Sequence, residues 1–123
     1  MTVAVIGLIA VFFLGMGVYA LAAPAALVRP FGITLGESAS RSEVRAVYSG
    51  FGLAVAAVLA YAAVADGDLR KGILITVAAA LAGMAFGRVA AAVLGDRTAF
   101  YPNWFYFLVE LVAAAASVGV SVA

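Results

Sequence analysis

Polar residues in this chain fall almost entirely into short connectors, and between them apolar residues follow one another with hardly a break. Four such runs stand out, at residues 3–23, 41–65, 70–94 and 101–122. A helix needs roughly 20 mostly apolar residues to cross about 30 Å of hydrocarbon, and each run meets that length. The pattern predicts an all-α integral membrane protein: a four-helix antiparallel bundle forming a single transmembrane domain over residues 1–123.

The connectors carry the matching punctuation. Residues 24–40 contain Pro24, Pro30, Gly32 and Gly36 and read as a loop, with a short interfacial turn over 25–28. Ser40-x-x-Glu43 fits a capping box for the second helix. Asp66-Gly67-Asp68 closes that helix, Gly95-Asp96 ends the third, and Tyr101-Pro102 opens the fourth with proline in a first helical turn. Phe100, Tyr101, Trp104 and Tyr106 cluster there, as amphipathic rings do at a headgroup boundary. The small residues of Tyr19-Ala20-Leu21-Ala22-Ala23 resemble a signal cleavage point. The first run lacks a positively charged start, however, is too long, and would leave Pro24 after the cut, so a retained helix is expected.

Four spans put both termini on one side and the loops at 24–40 and 95–100 on the other. Arg29, Arg41, Arg45 and Arg97 lie near the loop side, against Arg70 and Lys71 near the termini. That bias favours cytoplasmic loops unless Arg41 and Arg45 serve a site, so the orientation stays open.

Composition narrows the chemistry. Hydrophobic residues make up 67% of the chain and charged residues only 11%, with a mean hydropathy of +1.21, which leaves no room for a soluble domain. The net charge of +1 without a basic run argues against a nucleic-acid partner. Cysteine and histidine are both absent. Disulfides, thiol redox chemistry and thiolate metal sites are therefore excluded, and the commonest general base and metal ligand are missing. No cofactor or metal is expected.

Against that background two ions inside the runs matter most. Arg88 lies within the third and Glu110 within the fourth. A charge at membrane depth is costly unless it finds a partner or water. At 1.5 Å per residue, Arg88 lies roughly 9 Å inside the end of its helix, Glu110 about 13 Å from Tyr101 and Tyr48 about 10 Å from Arg41, all entering from the same face. One half of the bundle thus gathers Arg45, Tyr48, Arg88 and Glu110. Asn103, Tyr106, Glu110, Ser117 and Ser121 form one stripe along the fourth helix, while Arg41, Arg45, Tyr48 and Gly52 share a face of the second.

The candidate ligand-binding residues are Arg45, Tyr48, Arg88, Asn103, Tyr106 and Glu110. A structural ion pair joining two helices explains Arg88 and Glu110 as well as a ligand or proton site does. Gly83-x-x-x-Gly87 permits close approach of another helix and would suit a homo-oligomer; Gly50 and Gly52 offer the same on the second helix.

The segments YALAAPAALVRPFGI (19–33), SEVRAVYSGFG (42–52) and GMAFGR (83–88), with the late Glu110, resemble an uncharacterised family of four-helix bacterial membrane proteins, a domain of unknown function. DoxX-like proteins are a broader relative in architecture. The resemblance implies a multi-pass protein of the bacterial inner membrane and supplies no reaction. DoxX-like proteins have been linked to redox complexes, but a thiol role does not transfer to a chain without cysteine.

The expected function is binding or transport of a small amphipathic molecule or lipid in a polar half-pocket around Arg88 and Glu110. Arg88 would meet an anionic group, and Glu110 a cation or a proton. One alternative is a structural or accessory subunit of a membrane complex. Another is a proton-coupled small exporter, although the first helix lacks the charge that small multidrug transporters place there. An intramembrane lipid enzyme using Glu110 and Tyr48 is the reading with the fewest parts available.

Overall fold

The structure, a computed structural model, describes residues 1–123 and contains helices and no strand. Helix α1 covers Thr2–Ala22, the short α2 covers Pro24–Val28, and a 3₁₀ turn follows at Arg29–Phe31. Helix α3 runs over Ser38–Val64, α4 over Gly67–Val93 and α5 over Phe100–Ser121. All four long helices are long and apolar enough to span a membrane. Their outer faces carry large apolar residues such as Leu8, Val58, Phe86 and Val112, as lipid contact requires.

The second and third spans begin earlier than the pattern implies, at Ser38 rather than 41 and at Gly67 rather than 70. The expected capping box at Ser40 and Glu43 is not formed. Glu37 is the residue that flanks the helix, in extended backbone and without a side-chain cap bond. Ser40 therefore lies inside the first turn, and the N–H groups that it would have capped are already bonded along the helix. Arg41 instead donates from Nη2 to Ser38 Oγ at 3.1 Å.

Between α3 and α4 the chain reverses in two residues, Ala65 and Asp66. Gly67 takes φ +63°, a conformation glycine adopts at little cost. Arg70 then reaches back across the turn. Its Nε donates to the Ala62 carbonyl and its Nη2 to that of Ala63, both at 2.8 Å. Those carbonyls belong to the last turn of α3, where intrahelical partners run out and a cation is favoured.

Helix α1 packs along α3 and α4 along α5, and these two pairs meet less extensively across the α3–α4 and α1–α5 seams. The α1–α3 crossing is set by glycine. A Cβ on Gly17 would sit 2.9 Å from Leu53 Cγ and 3.1 Å from the Leu53 backbone nitrogen; one on Gly52 would sit 3.3 Å from the Phe13 carbonyl. Close approach is thus made at Gly17 and Gly52. A Cβ added at Gly83 or Gly87 would meet nothing within 4 Å, because both face outward. The apolar core gathers Ile6, Ile9 and Phe13 of α1, Ala56 and Leu59 of α3, Leu74, Val77, Ala78 and Leu81 of α4, and Ala114 of α5. Most of it lies in the half of the bundle that holds the termini, leaving the loop half for polar groups.

Replacing Gly17 with alanine is expected to destabilise the protein by about 1–3 kcal/mol, because the new methyl overlaps both Leu53 side chain and backbone. Gly83→Ala, made in open space, should leave stability unchanged or slightly raised. Thermal unfolding of both variants in one detergent checks the contrast.

Candidate functional site

Three segments build the polar half. Helix α4 supplies Arg88, just over one turn before its end at Val93. Helix α5 supplies Asn103, Tyr106 and Glu110 along one stripe, the spacing that brings side chains to a common helical face. The 3₁₀ turn after α2, held between Pro30 and the left-handed Gly32, supplies Phe31.

Arg88 meets Glu110 in a two-pronged fork. Nε donates to Oε1 at 2.8 Å and Nη2 to Oε2 at 2.9 Å, while Nη1 donates to Asn103 Oδ1 at 3.1 Å. Glu110 is only 3% exposed, and the Arg88 side chain is 20% exposed. A planar guanidinium matches a carboxylate in this way and no ammonium could, so the geometry depends on arginine. The pair neutralises both charges at a depth where either alone would be costly.

Aromatic rings cover the guanidinium. Its carbon lies 5.7 Å from the Phe31 ring centre and 6.0 Å from that of Tyr106. Those rings lie 5.7 Å from each other, and Tyr101 lies 6.4 Å from Tyr106. The negative ring faces attract the cation.

The structure thus brings together Arg88, Asn103, Tyr106 and Glu110, while Tyr48 of α3 makes no hydrogen bond to any of them. Arg45 goes elsewhere: its Nε donates to the Leu21 carbonyl at 3.0 Å, at the end of α1. A terminal carbonyl without a helical partner is the acceptor within reach. Local backbone contributes too, because α3 makes a π-helical turn over Arg45–Gly50 and the uniform rotation of an α-helix does not hold there. Of the rest of the α5 stripe, Ser117 and Ser121 bond back to the carbonyls of Ala113 and Val118 in their own helix. Phe31 is the residue that sequence reasoning missed. Its signal was its place between a proline and a glycine in the loop on the face from which Arg88 enters.

The chemistry open to this arrangement follows from what is already bonded. Both Glu110 oxygens are engaged by Arg88, so the carboxylate holds and orients the guanidinium. Of the five N–H groups of an arginine, three are donated within the cluster, which leaves two. Those two, beside the rings, are the cluster's remaining donors on Arg88.

A family model described as "Domain of unknown function (DUF4345)" matches residues 1–120. The chain belongs to this family. The matched residues include the whole of this cluster, from Phe31 to Glu110. No curated protein and no solved structure matches the chain.

Arg88→Ala or Glu110→Ala is expected to cost about 3–5 kcal/mol, because each leaves an uncompensated buried charge. The double alanine variant should lose much less than the sum of the two. Unfolding of the three variants in micelles, read as a double-mutant cycle, measures the coupling; a sum equal to the double would show that the two side chains act independently.

Proposed function

We propose that this membrane protein binds a small amphipathic molecule or lipid at the loop end of its bundle, with Arg88 meeting the polar part. The observation that carries the reading is the state of the guanidinium. It is locked in place by Glu110 and Asn103 and flanked by Phe31 and Tyr106, yet it is partly exposed and keeps two N–H groups to donate. Sites for small molecules combine apolar and aromatic walls with a few fixed polar groups, and this cluster has that make-up. In this reading Glu110 compensates and aims Arg88 rather than touching the ligand. Transport would use the same binding step.

The closed fork favours a second reading, that of a structural or accessory subunit in which the pair only joins α4 to α5. The exporter and lipid-enzyme readings ask Glu110 to take up a proton, and protonation would remove a partner from the fork.

Replacing both ions by apolar residues of similar size separates the first two readings. A buried ion pair exchanged for well-packed apolar side chains is often neutral or stabilising, so Arg88→Met/Glu110→Leu should fold. If Arg88 meets a ligand, native mass spectrometry and solvent extraction should show an amphiphile that accompanies the wild type and is lost from the double variant. An unchanged set of accompanying molecules would favour the scaffold role.

A further inference from the structure

The less extensive seam between α3 and α4 is a groove of about 520 Å³, within the range of small-molecule sites. Phe51, Val55 and Val58 of α3 form one wall, and Ile73, Ala80 and Met84 of α4 the other. Its polar content is slight. The Thr76 hydroxyl is spent on the Gly72 carbonyl at 2.8 Å, and Asp68 sits at the outer end. From Leu69 to Met84 the groove follows α4 for about 22 Å at 1.5 Å per residue, longer than the ~15 Å of hydrocarbon in one leaflet. Spread over that length, the volume leaves the cross-section of one hydrocarbon chain.

The inner end is what gives this groove a specific occupant. Met84 precedes Arg88 by one turn on α4, so that wall of the groove leads to the polar cluster. Charge then decides the class of head group. Glu110 already neutralises Arg88, so a second anion would leave the site with a net negative charge in low dielectric. An uncharged oxygen acceptor takes up the remaining N–H groups without that cost.

We propose that the groove and Arg88 are the tail and head halves of one site, whose ligand is an uncharged single-chain amphiphile with a hydrogen-bond-accepting carbonyl or ester head. This rests on the binding role given to Arg88 above. The tail lies between α3 and α4, and the head reaches Arg88 past Met84 at the groove's inner end.

Photolabelling of the full-length protein in nanodiscs tests the assignment. The probes are a monoacylglycerol with a diazirine in mid-chain and the matching fatty acid, at a pH that keeps the acid ionised. The expected result is labelling concentrated on groove residues of α3 and α4, with the ester about tenfold ahead of the acid anion. Ala80→Trp, which fills the groove from its exposed rim, and Arg88→Met/Glu110→Leu should each lower labelling by about tenfold. Gly72→Leu places its side chain in open space within the groove and provides a second block should Ala80→Trp fail to fold. Labelling spread evenly over the lipid-facing helices, a stronger signal from the acid anion, or indifference to both blocking variants would overturn the proposal. If the groove variants have no effect while the ion-pair double variant still loses its accompanying amphiphile, the groove assignment falls and the role of Arg88 stands.

Discussion

A charged side chain cannot lie alone among hydrocarbon, and the Arg88–Glu110 fork is how this small bundle meets that constraint. Once the two are paired, α4 and α5 can turn only slightly against each other before one of two short hydrogen bonds lengthens. Asn103 extends the restraint toward the start of α5, and Phe31 brings the loop after α2 over the guanidinium. The loop end is therefore organised by charge and aromatic faces, whereas the opposite end is organised by Ile6, Leu59, Leu74 and their neighbours. In a membrane, apolar packing gains little from excluding water, and close fit and interhelical polar contacts give the specificity.

Much of this was legible in the sequence because lipid is an unforgiving solvent. Span length, the number of spans and the inward direction of Arg88 and Glu110 all follow from the cost of leaving polar groups in hydrocarbon. The convergence of Tyr106 and Glu110 follows from helical spacing, while Asn103 joins them from a π-helical turn over Phe100–Trp104. Other features depend on choices that spacing does not encode. Arg45 had two acceptable destinations, and the free carbonyl of Leu21 took it. Of the glycine pairs, the sequence made Gly83 and Gly87 the more conspicuous, yet Gly17 and Gly52 make the crossing, because a close approach requires small residues on both helices at one level.

The division into two helix pairs also bears on how binding could occur. The α1–α3 pair is drawn together by glycine, and the α4–α5 pair by the ion fork. The seam between them has neither device along most of its length. Only Arg70, clasping the last turn of α3, ties the two at the end that holds the termini. A molecule arriving from the lipid would reach the groove between α3 and α4 without passing through water.

Arg45 and Arg70 share a property with consequences for biogenesis. Each serves as a cap on the end of a neighbouring helix, Arg45 on α1 and Arg70 on α3. Neither can do so until those helices lie side by side. While the chain is being inserted both are unengaged cations, and they weigh on which loops are retained in the cytoplasm. After assembly the same charges rest against backbone carbonyls, Arg70 partly buried and Arg45 exposed. Charges that stand free while the chain is unassembled thus become clasps in the finished bundle.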